Sequence, residues 1–234
     1  MPRLRSLCLI LLAVSLSASA TSLASAGVAS LSSPVKLAWQ PKAGAQTYYS
    51  LLTIAGEQEM RSGFTQKVKE VKNGRVTIEH AYGPPEIALS GASTTLGDGG
   101  TRMFKYVFGA DGEPLSSSIS NEHPMGKTIR QATSPRFPNK EVNEGDSWKV
   151  QYGGAAPGEA TFVFKGSAKI GQWDAYQITI KYQAKGSDLS ASGTFFVAAS
   201  DGSVIKSDVT LNNLPTGVNL DQKSQFRHVV ERQP

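Results

Sequence analysis

Cysteine is nearly absent from this 234-residue chain. The single one is Cys8, inside an N-terminal segment that carries the marks of removal, so the mature chain has no thiol, no disulfide and no thiolate metal ligand. Histidine is scarce as well. His80, His123 and His228 show neither His-x-His nor His-x-x-x-His spacing, and a zinc site needs three or four ligands gathered at one point. The expectation is no metal and no cofactor. Long apolar runs are missing too: Ser6–Leu16 is the only one, and a bilayer span needs ~20 residues, so no transmembrane segment is expected. Charge of one sign is not in large excess. The 24 Lys+Arg and 19 Asp+Glu are spread along the chain, whereas nucleic-acid binders gather cations on one face, so a nucleic-acid partner is not expected. Catalytic signatures are also lacking. There is no Gly-x-Ser-x-Gly elbow. Ser203-Val-Ile-Lys206 matches Ser-x-x-Lys, but on a strand positions i and i+3 point to opposite faces.

What is present begins at the front. Met1-Pro-Arg-Leu-Arg5 is basic, the apolar run follows, and Ala18-Ser19-Ala20 and Ala24-Ser25-Ala26 offer two small-residue cleavage sites. That order is a secretory signal peptide over residues 1–26, and it predicts an exported protein, periplasmic or extracellular. Cys8 lacks the small-residue box ending in Cys that precedes lipidation. Losing Arg3 and Arg5 leaves 22 basic against 19 acidic residues. Residues 27–34 read as a flexible lead-in, and 35–232 are long enough for one all-β domain without covalent staples.

Beyond residue 34 the dominant period is two. Val76, Ile78, His80 and Tyr82 alternate with polar neighbours, as do Tyr176, Ile178, Ile180 and Tyr182, and Ile205, Val209 and Leu211 share one face. Such alternation marks strands with one buried and one wet face. Asn73-Gly74 suits a type I′ hairpin turn, and Asp111-Gly112, Gly171-Gln172 and Asp201-Gly202 mark further turns. Residues 46–60 read as one strand. The predicted fold is all-β: a large curved antiparallel sheet, half-barrel or β-sandwich, with one short helical connector. That connector is 121–138, where Met125, Ile129 and Ala132 fall at i, i+4 and i+7 after Pro124. It divides the domain into two β halves that open alike, Gly44-Ala-Gln-Thr-Tyr48 and Gly145-Asp-Ser-Trp148.

Three phrases carry a resemblance. Lys36-Leu-Ala-Trp-Gln-Pro-Lys-Ala-Gly-Ala-Gln-Thr-Tyr48 is similar to the opening strand of a family of exported bacterial all-β domains of unknown function. Phe137-Pro-Asn-Lys-Glu-Val-Asn-Glu-Gly-Asp-Ser-Trp148 resembles its mid-chain phrase, and Gly193-Thr-Phe-Phe-Val with Asp201-Gly-Ser-Val-Ile-Lys-Ser207 resembles its late hairpin. The resemblance implies an exported β layout and brings no activity. Residues 86–100 depart from the pattern.

The three histidines read as structural, with His80 on the apolar face of its strand. Glu57 and Glu59, read on one strand face ~6.5–7 Å apart, have a spacing a glycosidase could use, but their polar surroundings read as a solvated face. The aromatics carry more. Phe104, Tyr106 and Phe108 share a face, Phe162 and Phe164 do likewise, and Phe195-Phe196 must point both ways. The plainer reading is a filled core. The sharper one is an apolar cavity walled by Phe104, Tyr106, Phe108, Phe162, Phe164, Tyr176 and Ile178, with Met125 and Ile129 as a lid. The expected function is therefore a non-catalytic exported β domain. It would bind an apolar or amphiphilic small molecule or lipid, or serve as an envelope scaffold with a protein partner. The alternatives are an extracytoplasmic hydrolase using paired carboxylates and a protein–protein interaction module. N-terminal sequencing of the exported protein is expected to return Thr21 or Gly27; Met1 overturns the signal assignment.

Overall fold

The computed structural model describes residues 33–89, 92–95, 100–119, 124–153, 157–216 and 222–234. The 1–26 signal pattern, all but the last two residues of the lead-in, and residues 121–123 of the connector lie outside them. The described residues belong to one compact unit. In chain order the elements are β1 (Val35–Lys36), β2 (Gln46–Ala55), β3 (Gln58–Lys72), β4 (Arg75–Tyr82), β5 (Glu86–Leu89), β6 (Ala92–Thr95), β7 (Arg102–Gly109), β8 (Pro114–Ser117), α1 (Pro124–Thr133), β9 (Glu141–Val142), β10 (Ser147–Tyr152), β11 (Gly158–Ile170), β12 (Trp173–Ala184), β13 (Ser190–Ala198), β14 (Val204–Thr216) and β15 (Gln222–Arg232).

Thirteen of these strands form one antiparallel sheet. Its path runs β10-β11-β12-β13-β14-β15-β2-β3-β4-β7-β8, with β5 and β6 branching from β3. Among the described residues the fold is thus all-β, one large open sheet with a separate two-stranded β1–β9 pair and one short helix. The branch follows from strand length. β3 has 15 residues, and β4 pairs only with Phe64–Lys72, leaving Gln58–Arg61 to pair with β5. Alternation is clear where one face is covered. On β11, Ala160, Phe162 and Phe164 are buried and separated by less buried residues; β12 does the same with Ile178, Ile180 and Tyr182. One sequence expectation changes. Residues 46–60 are not a single strand, because Gly56, at φ 60, and Glu57 make a hairpin turn. Glu57 therefore sits in a turn rather than beside Glu59 on one strand face, and Glu59 is ion-paired with Arg61 at 2.8 Å.

The two stretches of sheet begin with the same backbone device. Ala45 N–H donates to Lys42 C=O at 3.0 Å, Gly44 N–H to Val68 C=O at 2.8 Å, and Val68 N–H to Ala45 C=O at 2.9 Å. A hundred and one residues on, Asp146 N–H donates to Asn143 C=O at 3.0 Å, Gly145 N–H to Phe164 C=O at 2.8 Å, and Phe164 N–H to Asp146 C=O at 2.9 Å. Gly44 and Gly145 have φ of 85° and 90°. Immediately afterwards each stretch has a register shift, Val68/Glu70 against β4 and Phe164/Gly166 against β12. Such bulges bend a strand and raise its twist. Continuing the register pairs the positions: Gln66 with Phe162, Ile78 with Ile178, His80 with Ile180, Tyr106 with Phe195, and Phe108 with Val197.

The three phrases of the sequence resemblance meet at one corner. β1 pairs with β9 through Val35↔Val142, Leu37 and Val142 are each 1% exposed, and Gln40 N–H donates to Asp201 C=O at 2.8 Å. The Asp201-Gly202 turn lies so close to the first phrase that a Cβ on Gly202 would run into the Ala38 carbonyl oxygen.

α1 lies across the face that holds the buried side chains. Ala132 is fully buried, and Met125 and Ile129 pack against the Phe162–Phe195 core. After the helix, Arg136, 5% exposed, anchors the chain by ion-pairing with Asp111 at 2.5 Å. Trp148 Nε1–H donates to the Arg136 carbonyl at 3.2 Å.

Gly44 and Gly202 both hold positive φ, but only Gly202 is crowded by backbone. Gly44→Ala is expected to cost about 1–2 kcal/mol, the ordinary left-handed penalty. Gly202→Ala should cost clearly more, read by urea denaturation of each variant. Equal losses would show that the corner is not tightly closed.

Candidate functional site

The fold leaves a cavity of about 270 Å³ under α1, just below the ~300–1,000 Å³ usual for small-molecule sites. Its walls come from Tyr49 and Leu51 of β2, Phe64 and Gln66 of β3, Ile78, His80 and Tyr82 of β4, and Tyr106 and Phe108 of β7. Ser207 of β14 and His228 and Val230 of β15 line it as well. Side chains from β4 and β15, three strands apart, border one space because the sheet is curved. The roof is Gly126, Ile129, Arg130 and Thr133 of α1 with residues 134, 135 and 137 beyond it, and Trp39, Gly202, Ser203 and Val204 of the corner complete the wall.

The aromatic wall is continuous. Tyr49 stacks on Phe64 with centroids 5.1 Å apart, Phe64 meets Tyr82 at 5.0 Å, His80 meets Tyr106 at 5.0 Å, and Trp39 meets Phe108 edge-on at 5.6 Å. Set into it is a polar cluster. His80 Nε2 lies 3.1 Å from Gln66 Oε1 and its Nδ1 lies 3.2 Å from the Tyr82 hydroxyl. Gln66 Oε1 can only accept, so Nε2 carries the ring proton and Nδ1 accepts from Tyr82. Arg130 places its guanidinium 5.2 Å from the Tyr106 ring centre, a cation–π contact. The Nδ1 atom of His228, which also lines the cavity, is closed off from solvent and has no hydrogen-bond partner.

Burial, reinforced by the Arg130 charge, lowers the His80 pKa to about 4, and burial alone lowers that of His228 to about 4. Both rings are neutral at pH 7. Burial also raises the Tyr82 phenol well above its ordinary value, so the cluster carries no negative charge.

The seven aromatic and aliphatic residues singled out from sequence divide between two places. Tyr106 and Phe108 line the cavity together with Ile129 of α1. Phe104 is half-buried beside it, its ring 5.8 Å from that of Tyr82. Phe162, Phe164 and Ile178, at 0–3% exposure, are in the filled core of the other stretch of sheet, with Tyr176 and Met125 packed against it. The physical reason lies in the paired positions: where one stretch has Phe162 and Ile180, the other has Gln66 and His80. The sequence reads His80 and His228 as structural histidines and Tyr82 as part of an apolar strand face, and it does not single out Gln66 or Arg130. The available signal was a histidine and a tyrosine on the same face of β4 as Ile78. Elsewhere, Lys206 of the Ser-x-x-Lys match is bonded to Glu231 at 3.2 Å while Ser203 lines the cavity, so the two do not form a pair. Among the described residues, no group of three His, Cys, Asp or Glu could hold a metal ion, and no helix is long and apolar enough to cross a membrane.

No family model matches this chain, and no curated protein matches it. Among solved structures it is similar to the hypothetical lipoprotein YmcC of Escherichia coli, at 12% identity and a TM-score of 0.30, over 80% of this chain and 84% of that one. It is also similar to a provisionally described exported protein with a YmcC-like fold from Bacteroides fragilis, at 8% identity and a TM-score of 0.35, over 85% and 100%. A provisionally described lipoprotein from Parabacteroides distasonis matches at 10% identity and a TM-score of 0.32, over 85% and 99%. The likeness is weak, and what the cavity can hold follows from its own residues.

A histidine whose folded pKa lies below its unfolded value of about 6.5 is protonated first in the unfolded chain. The stabilisation is whole above pH 6.5 and is lost as pH falls toward 4. Calorimetric stability is therefore expected to drop between pH 7 and pH 5, above the main carboxylate transitions. The drop should be smaller in His80→Gln and smallest in the His80→Gln/His228→Gln double variant. A flat profile in the parent protein would contradict the burial of these rings.

Proposed function

We propose that this is an exported, non-catalytic β domain that binds a small apolar or amphiphilic ligand in the cavity beneath α1, in the periplasm or outside the cell. The observation that carries the reading is the cavity itself: about 270 Å³ of space walled by aromatic rings, with a few converging polar groups and a single helix as its roof. Apolar walls drive binding by burial, ~25 cal/mol per Å² of apolar surface, while the Gln66–His80–Tyr82 cluster supplies orientation. Export rests on the signal pattern of residues 1–26. A hydrolase built on paired carboxylates is disfavoured because no Asp or Glu among the described residues lines the cavity.

A fluorescent fatty-acid probe tests the reading. The parent protein is expected to bind it saturably. Phe108→Ala, at a half-buried wall, should alter that binding and cost well under ~3 kcal/mol of stability. Phe164→Ala, in the filled core, should cost ~3–5 kcal/mol by leaving a void and should keep the probe site. Absence of probe binding, with Phe108→Ala destabilising as much as Phe164→Ala, would remove the ligand reading and leave a scaffold.

A further inference from the structure

We propose that the ligand carries an uncharged carbonyl oxygen, as in an ester or ketone, and that His228 holds it by donating its Nε2–H, a polar contact separate from the Gln66–His80–Tyr82 cluster. This rests on the cavity being a ligand site and names the chemistry of one group on its ligand.

Among the described residues, three side-chain nitrogen atoms are sealed from solvent without a hydrogen-bond partner. Two belong to Arg136, which does not line the cavity; the third is Nδ1 of His228, which does. Such exceptions are few in folded proteins, because an unpaired buried polar atom is costly. The cost sets the tautomer. Orphaned N–H donors are rarer in protein interiors than under-satisfied acceptors, so Nδ1 carries the lone pair and the ring proton sits on Nε2. Nε2 is not among the sealed atoms, and His228 makes no hydrogen bond among the described residues. The half-buried ring therefore turns a donor toward the cavity it lines.

The register places this donor away from the polar cluster. His228 lies opposite Thr53 of β2, and Thr53 opposite Met60 of β3. Gln66 and His80 pair further along β3. On the inner face, the Tyr49–Phe64 row and the row of Ser207, Val230, Leu51 and Ser62 stand between. The two polar places are distinct, and the rows between them offer apolar contact to a carbon skeleton.

Charge decides which oxygen fits. Arg130 acts on His80, whereas burial alone lowers the pKa of His228, to about 4. His228 is neutral at pH 7, and among the described residues no charged side chain shifts it. A carboxylate bonded there would be buried without a counter-charge, which costs far more than burying a carbonyl that receives one hydrogen bond.

Long-range nitrogen NMR of the histidine rings tests this, with methyl heptanoate, octanoate (the anion of its isomer) and toluene as probes. In the free protein His228 should be neutral with its proton on Nε2. Saturating methyl heptanoate should move the His228 Nε2–H proton downfield as it bonds the ester carbonyl. Octanoate and toluene should leave that proton near its place. His228→Leu should weaken methyl heptanoate binding about tenfold, the scale of leaving one buried carbonyl unpaired, and should keep toluene binding. A ring proton found on Nδ1, a His228 signal unmoved by bound methyl heptanoate, an equal shift with octanoate, or toluene binding without methyl heptanoate overturns the assignment and leaves the apolar-ligand reading standing. Binding of none of the three probes overturns both. The NMR readings use the parent protein, so they decide the matter even if the leucine variant fails to fold.

Discussion

One ten-residue helix has to cover one face of a sheet whose main path is eleven strands wide. A helix of that length spans ~15 Å, while eleven strands at ~4.8 Å spacing reach ~50 Å across if flat. Curvature brings the strands in toward the helix, but one helix still cannot seal the whole face. The two stretches of sheet meet this shortage differently. One fills its space with Phe162, Phe164, Ile178, Ile180 and Phe195 under Ala132, Met125 and Ile129. The other keeps a void, with Gly126, Arg130 and Thr133 of the same helix facing it. The helix is thus a partition, with a solid core on one flank and a cavity on the other.

The corner where β1 meets β9 and the Asp201-Gly202 turn makes this arrangement possible. It joins the start of the chain, its middle and the late hairpin through backbone hydrogen bonds and two buried aliphatic residues, and it presents Trp39, Gly202, Ser203 and Val204 to the cavity. Arg136 anchors the chain just past α1 by its pairing with Asp111. Polar residues can stand at core positions here because Gln66, His80 and Tyr82 hydrogen-bond to one another.

Much of the architecture was legible locally. β4, β7, β12 and β14 announce themselves by alternation, and Asn73-Gly74 adopts the two positive φ values, 50° and 70°, that its dipeptide calls for. The helix was legible from Met125, Ile129 and Ala132 after Pro124. Less visible were the Gly56-Glu57 turn, which lacks the Asn-Gly or Asp-Gly signature, and the β5–β6 branch, which exists because β3 outruns its partner. For the site, Tyr106, Phe108 and Ile129 could be picked out as aromatic or apolar residues on the right elements. His80, Gln66 and His228 could not, because a polar residue on an apolar strand face looks the same whether it borders a core or a cavity.

The sequence by itself determined most of the strands, the Asn73-Gly74 turn, the helix after Pro124 and the repeated Gly-to-aromatic opening of the two stretches. These are short-range properties, set by side-chain alternation, φ preferences and residue identity. The tertiary structure alone decided which stretch is filled and which is hollow. Cavity or core depends on whether side-chain volume matches the space that distant elements enclose, and α1, the β1–β9 corner and β15 reach that space from separate parts of the sequence. Periodicity within one strand carries no information about what another part of the chain lays over it.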